Sequence, residues 1–561
     1  MDKIEKIKKA IRKINPSIKV SLVDDCIKLE GQVDNYEEAV ACGRAAVDKQ
    51  LFRGVLNDIK LTGYTPKPMR ISNIADNKYQ GKQVDVLIIG GGIVGCAILR
   101  ELTKYDISIL LCEKEEDVAT AQSSRNDGMI HAGIDLKASS LKWKYNLRGN
   151  ALYDQISKDL QEPLIRCGQY VLFTEKWHKF TKPFIKARAK ANQVPIKFYS
   201  QKQLKQAEPS ASGHYGGFFC ANAGVISPYN MTIAMAENAV QNGGEVALST
   251  AVLEIEKREG RIYSVLTNRG RIYPKVVINA AGVFSDIIAE MAGDRHFTIH
   301  PRKGVELILD KKVAHITKSV LGKFVISTGK DHTKGGGLIR TVHSNILAGP
   351  NAMETPDRED TTTSAEDIRE VVEKQAKIAQ MLSYSDIITA FGGVRAPTYE
   401  EDFIVERSKK VPNFIQAAGI QSPGLTAAPA IAEDIAEFVK QELGSVKPNP
   451  LFNPKRKAIP EVNRLDFAER DALIKQNPDF GVIVCRCEEV SKGEILAAIH
   501  NPLGVCSIDA IKRRVRAGMG RCQGGFCQPI ITALIAKEKN IPLSEVTKKG
   551  GQSSIIVRET K

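Results

Sequence analysis

Two groups of residues in this 561-residue chain have types and spacings that could do chemistry. The first is Gly90-x-Gly92-x-x-Gly95, which follows the apolar run VDVLII and opens a helix. Gly90 allows a tight turn, Gly92 lets a pyrophosphate approach the backbone, and Gly95 lets helix pack on strand, with the phosphate at the positive end of the helix. The next strand, ISILLCEK, ends at Glu113, eighteen residues after Gly95, where a carboxylate can accept hydrogen bonds from a ribose. The second group is Cys485-x-Cys487 and, thirty-four residues later, Cys522-x4-Cys527. Two tight thiolate pairs suit a metal or a 2Fe–2S cluster. Their spacing departs from the C-x2-C pairs of zinc ribbons. Zinc and unliganded core thiols remain the alternatives.

After Glu113 the chain enters TAQSSRNDGMIHAGI, a polar segment carrying Ser123, Ser124, Arg125 and His131, which suits a long cofactor. Far downstream, Gly419, Ser422, Gly424, Leu425 and Thr426 precede a helix of small residues whose N-terminal dipole could stabilise a reduced flavin anion. Two separated segments, one for each end of the molecule, favour FAD over NAD.

These motifs need elements to position them. Residues 1–63 read as helix, two strands, helix and strand, a small α/β module, and 64–84 as a linker. Alternating strands and helices fill 85–443, residues 444–464 read as a proline-rich linker or strap, and 465–561 hold the cysteine pairs. The fold class is therefore α/β: a Rossmann-type domain flanked by a small N-terminal α/β module and a C-terminal cysteine-bearing domain. Glycines 524 and 525 would let N–H groups reach the sulfurs, and Lys512, Arg513, Arg514, Arg516 and Arg521 would offset cluster charge. The other seven cysteines read as core residues.

Composition excludes disorder and fibres: 43% of residues are hydrophobic and 26% charged. The net charge of +15 favours an anionic substrate or partner. Nucleic acid is not expected, because 6% aromatic content and no recognition motif accompany the charge. No apolar run of membrane-spanning length and no signal-peptide stretch occurs, so a cytoplasmic protein with reduced thiols is expected.

The two cofactor segments, with VVINAAGVFSD (276–286, including Gly282) between them, resemble the D-amino-acid-oxidase-type FAD oxidoreductase superfamily over about 84–440. The motifs SSRNDGMIHAGID, GVISPYNMT, HPRKGVELIL, NILAGPNAMET, FGGVRAP and AGIQSPGLTAAPAIA are similar to the branch holding bacterial glycerol-3-phosphate and L-2-hydroxyglutarate dehydrogenases. That resemblance implies hydride transfer to FAD from a C–H bond beside a hydroxyl or amine. It also implies that a sheet-based substrate domain, built from about 150–225 and 290–400, accompanies the Rossmann-type FAD domain, and that the cysteine domain is an iron–sulfur domain. The cysteine unit resembles the bacterioferritin-associated ferredoxin domain, a 2Fe–2S module, and residues 1–63 resemble a BON domain. The fusion of flavin and cluster implies a dehydrogenase with a second, electron-accepting flavoprotein subunit, an oligomeric assembly, and room for peripheral membrane association.

An anionic substrate needs fixed cations. Arg302 and Lys303 in HPRKG, Lys334 and Arg340 in TKGGGLIRT, nearby His343, and Arg395 in FGGVRAP are the candidates, Arg302 and Arg395 foremost. His131 could accept the hydroxyl proton or serve as a flavin contact; Tyr229 is a lesser candidate. The Arg-Tyr-Leu element of respiratory glycerol-3-phosphate enzymes is replaced after His131 by Ala-Gly-Ile-Asp. The expected reaction is oxidation of sn-glycerol 3-phosphate to dihydroxyacetone phosphate. The alternatives are L-2-hydroxyglutarate or another 2-hydroxy or amino acid, and a carrier that has lost turnover.

Overall fold

The computed structural model describes residues 3–325, 336–379 and 383–558. The apolar run before Gly90 becomes the strand Lys82–Ile89, buried from Val86 onward, as a strand covered on both faces must be. It runs parallel to Ile109–Cys112 on one side and Gly270–Asn279 on the other. Glu245–Ala247 extends the sheet beyond Ile109–Cys112, and Phe414–Ala418 pairs in parallel with the end of Gly270–Asn279. The C-terminal ends of these strands all deliver their chain to one cavity, at Gly90, Glu113, Ala280 and Ile420. That is where parallel sheets bind ligands. Helices Ile93–Leu102, Leu141–Leu160, Pro228–Gln241 and Gly424–Leu443 close one face through a core that includes Ile98, Tyr153, Met231 and Ile431.

A second, mainly antiparallel sheet roofs the cavity. Its strands come from Gln169–Leu172, Ile196–Tyr199 and Gly217–Cys220, and from segments between Arg302 and Arg395. Its longest pairing is Arg302–Leu309 against the edge strand Ile387–Arg395, in a register that sets Arg302 opposite Arg395.

At the N-terminus, helices Lys3–Arg12 and Tyr36–Ala45 cover a three-stranded sheet in which Cys26–Val33 is antiparallel to Lys19–Val23 and parallel to Gly54–Leu61. Its core holds Ile7, Ile11, Ile27 and Leu29, and one outsider, Tyr399. At the C-terminus, helices Lys492–Ile499, Ile508–Val515 and Cys527–Lys539 pack with the short hairpin Ile483–Cys485 and Val490–Ser491.

Residues 444–464 form a strap between the two large sheets and the C-terminal unit. Asn449 donates to the Thr103 carbonyl, and Arg456 reaches Glu237 at 2.8 Å and Glu162 at 3.0 Å, both carboxylates buried. Burial pushes the Glu162 carboxyl up to about 7 despite Arg456. Arg456→Met strands Glu162, leaves Glu237 only Arg514 at 3.5 Å, and is expected to cost about 3–5 kcal/mol in urea unfolding. A raised carboxyl stabilises the fold below its ordinary value, and that contribution is lost as pH rises through about 7. The urea midpoint of the variant should therefore fall more steeply than the parent's between about pH 5 and pH 8.

Candidate active site and cysteine centre

The cavity, about 1260 Å³, lies between the two large sheets. Its floor is the glycine turn. Gly90 has φ +113, and a side chain at Gly90 or Gly95 would run into the Ala280 or Gly90 carbonyl respectively. Helix Ile93–Leu102 starts at Gly92 without a side-chain cap of its own, and the Ile93 N–H donates instead to Ser123 Oγ at 2.8 Å. Glu113 accepts the Gly91 N–H at 2.7 Å and the Glu115 N–H at 2.9 Å, and burial pushes its carboxyl above the ordinary range. A carboxylate has further lone pairs to offer. Turn, helix start and acceptor together fit a dinucleotide.

Of the other cofactor candidates, Arg125 lines the cavity while donating to the Gly392 carbonyl at 3.1 Å, and burial lowers its pKa. Gly282, Ser422, Gly424 and Leu425 also line it. Ser124, Gly419 and Thr426 stand outside that lining. Thr426 is buried and accepts the His131 N–H at 3.0 Å, which ties the start of Gly424–Leu443 to the His131 segment. His131 Nε2 and Ser422 Oγ share a hydrogen bond of 3.2 Å at the wall.

The cationic candidates separate by environment. Arg395 lines the cavity. Burial lowers its pKa, and among the described residues its guanidinium bonds only the Asn351 carbonyl, at 3.3 Å. Beside it stands Glu306, missed in the sequence: it is buried, lines the cavity, has Oε2 without a partner among the described residues, and is pushed well above the carboxylate range by burial. Only the strand register could have announced it, because Arg302, Gly304 and Glu306 alternate onto one face. Arg302 also lines the cavity, but its fork is engaged by Glu354 at 2.8 Å and Glu401 at 2.6 Å. Lys303 occupies the opposite face, against Asp360 at 3.1 Å and Thr362 at 2.9 Å, off the cavity. Arg340 follows the cavity-lining Ile339 and so falls on the other side, 3.4 Å from Ser344 Oγ. Lys334 lies outside the described residues.

His343 and Tyr229 turn up elsewhere, at the joint with the cysteine unit. Arg516 donates to Tyr229 Oη at 3.0 Å, Asn345 at 3.0 Å and Glu488 at 2.9 Å. His343 is held well below its ordinary pKa by burial and by the cations Arg516, Arg464 and Lys311. Arg513 and Arg514 grip the buried Asp117 at 2.8 Å each, and Arg521 meets Asp310 at 2.6 Å. These arginines, expected to offset cluster charge, serve as the unit's attachments to the rest of the chain.

The cysteines form two pairs. Cys487 and Cys522 sulfurs are 3.6 Å apart, and the Cys527 thiol hydrogen-bonds Cys485, lowering the Cys485 thiol to about 6. The N–H groups of Phe526, Gly524 and Gly525 hold the Cys522 thiol below its ordinary value. Thiolate-stabilising N–H donors around four cysteines fit a 2Fe–2S cluster.

The N-terminal unit backs the cavity wall. Gly43 lies flat on the ring of Tyr399, which stacks on His300 at 4.5 Å. Arg44 joins Glu354 at 2.6 Å, and Glu401 accepts from Gln421 at 2.5 Å, so an ion-pair chain runs from Arg44 through Glu354, Arg302 and Glu401 to Gln421, beside Ser422. Lys49 of this unit and Arg70 of the following segment reach the cavity itself.

The model of the family described as FAD dependent oxidoreductase matches residues 85–438, and that of the BFD-like [2Fe-2S] binding domain matches 483–537. The chain is 38% identical over 479 residues to glycerol 3-phosphate dehydrogenase of Caloramator mitchellensis, covering 85% of this chain and 99% of that protein. It is 25% identical over 483 residues to one of the subunits of anaerobic glycerol-3-phosphate dehydrogenase of Escherichia coli K12, covering 79% and 86%. Among solved structures, FAD-bound, dithionite-reduced L-alpha-glycerophosphate oxidase of Mycoplasma pneumoniae superposes with a TM-score of 0.62 at 27% identity, covering 67% of this chain and 98% of that one.

Asp117→Asn removes the charge that two guanidiniums share. It is expected to cost about 3 kcal/mol and to make the strap region cleavable in limited proteolysis, with the 465–561 unit released first.

Proposed function

The chain belongs to the FAD dependent oxidoreductase family. We propose that within it this protein oxidises sn-glycerol 3-phosphate to dihydroxyacetone phosphate and passes the electrons through the four-cysteine unit to a separate electron-accepting partner. The observation that carries this reading is Arg395: a buried guanidinium at the cavity whose fork, among the described residues, is engaged only by one carbonyl. A planar fork in a dry site matches phosphate bidentately. Burial pushes the Glu306 carboxyl well above the carboxylate range and so favours its neutral acid, which leaves the positive charge of Arg395 to meet an anion.

Bound FAD would supply a two-electron acceptor for hydride. The chain's own residues do the rest. Arg395 anchors the anionic end. His131, oriented through its main chain by Thr426, Asn146 and Asn150 and through Nε2 by Ser422, takes the proton of the reacting hydroxyl. The start of helix Gly424–Leu443 directs its positive end at the cavity, where negative charge accumulates on reduction.

The electron exit rests on length. The oxidase structure corresponds to 67% of this chain, whereas the match to the Caloramator dehydrogenase extends over 85%. The cysteine unit gives electrons a one-electron route out of the flavin, and the E. coli relative, itself one part of a larger enzyme, supports a partner that receives them.

The test is anaerobic titration of the purified protein while its visible flavin band is recorded. Bleaching by sn-glycerol 3-phosphate and not by L-2-hydroxyglutarate is expected; bleaching by the hydroxy acid alone would overturn the substrate, and by neither the enzymatic reading. Arg395→Met should raise KM about 100-fold with a smaller effect on kcat. His131→Asn should lower kcat about 100-fold or more with KM little changed.

A further inference from the structure

The strand Arg302–Leu309 turns Arg302 and Glu306 to the cavity, with Gly304 between them on the same face. The Arg395 guanidinium, arriving from the paired strand, occupies the space that a side chain on Gly304 would fill. Gly304 and Glu306 are two residues apart, about 7 Å along a strand, so the guanidinium fork and the Glu306 carboxyl are neighbours. The main chain walls that carboxyl in: a side chain on Gly349 would come within 3.2 Å of Glu306 Cγ. Glu306 is 4% exposed, and among the described residues its Oε2 has no hydrogen-bond partner and no ion pair joins it to Arg395, whose fork meets the Asn351 carbonyl instead. Two charges face it. Asp127, from the segment before Met129–Ile130, opposes a second negative charge, and Arg395 favours one. Burial is the largest effect and sides with Asp127, because a buried carboxyl that no donor meets keeps its proton. The wall therefore presents a cationic fork and, beside it, one neutral O–H donor.

We propose that Glu306 is the residue by which this site prefers a phosphate to a carboxylate: its O–H donates to the phosphate oxygen that the Arg395 fork leaves unmet. The number of acceptors decides the preference. A guanidinium fork takes two oxygens side by side. A carboxylate has two, and the fork satisfies both. A phosphate monoester has three, and one is left over for a further donor. With a carboxylate bound, the Glu306 O–H faces no anionic oxygen and stays unpaired in a dry site, which weakens binding. Arg302 does not supply the third contact, because its fork is engaged by Glu354 at 2.8 Å and Glu401 at 2.6 Å. The inference deepens the reading of the substrate as a phosphate ester, and it rests on that reading in placing the anionic end at Arg395.

The test uses the full-length, flavin-loaded protein in its oxidised state and reads binding from the shift of the visible flavin band. Dihydroxyacetone phosphate is the phosphate probe and 2-oxoglutarate the carboxylate probe; both are already ketones, so binding is read without turnover. Glu306→Met and Glu306→Leu, which remove the donor at similar volume, should weaken the phosphate probe about tenfold or more and leave the carboxylate probe unchanged. Glu306→Gln, whose amide N–H can donate, should stay close to the parent. An unchanged flavin spectrum without ligand verifies that each variant folds. Phosphate binding that is unchanged or tighter in the Met and Leu variants would overturn the inference. So would equal weakening of both probes, which would make Glu306 a structural residue, or a Gln variant as weak as Met. If sn-glycerol 3-phosphate fails to bleach the flavin while the phosphate probe still separates the variants as expected, the substrate reading falls and the role of Glu306 stands.

Discussion

Asp117 has no exposed side-chain surface, and a buried carboxylate costs several kcal/mol unless its charge is met. Arg513 and Arg514 meet it, from a helix of the cysteine unit, and outweigh the burial that would push its carboxyl up. Asp117 sits in the segment that leaves Glu113 and leads to Ser123, both of them on the cofactor cavity. The pair therefore fixes the cysteine unit to the loop that wraps the dinucleotide site. Neither side tolerates separation, since parting them would leave three charges buried. A flavin and a cluster exchange electrons only at short range, so this joint is what makes one electron path out of two domains. Arg516, with Tyr229, Asn345 and Glu488, and Arg521 with Asp310, extend the same joint toward the roof sheet.

The N-terminal unit works on the opposite side in a similar way. Tyr399 belongs to its core, and the stretch from Arg395 to Asp402 carries cavity residues at both ends. A module resting on the back of that stretch limits how far Arg395 and Glu401 can move. The ion-pair chain from Arg44 to Gln421 continues the constraint to the turn before Ser422, whose hydroxyl meets His131. Burial and charge pairing thus brace the site from two directions while the central sheet supplies the cofactor turn.

The parts of this arrangement that are local in the chain were legible in the sequence. The strand, glycine turn and helix around Gly90 follow from an apolar run and three glycines, and Glu113 from its distance along the next strand. The two cysteine pairs are equally local, and the family matches agree with the flavin and 2Fe–2S readings. What escaped depends on parity and on distant partners. Lys303 and Arg340 are each one residue away from a cavity-facing position, and a strand turns alternate residues to opposite faces. Arg302 reaches the cavity but is claimed by Glu354 and Glu401, 52 and 99 positions along the chain. Glu306 looks like an ordinary strand glutamate until the fold turns it onto the cavity wall that Arg395 also lines. The basic residues near the cysteines suggested charge compensation, yet a residue's partner is a tertiary fact: Arg513 and Arg514 were nearly four hundred positions from Asp117.

The central claim is that substrate electrons leave the flavin through the four cysteines of the same chain. It is tested most directly by freeze-quenching the anaerobic, oxidised protein after mixing with sn-glycerol 3-phosphate and recording its electron paramagnetic resonance spectrum. The account requires a reduced 2Fe–2S signal to grow as the flavin band bleaches, and to vanish in Cys522→Ser while bleaching persists. A fully bleached flavin beside a cluster that stays oxidised and silent would contradict it.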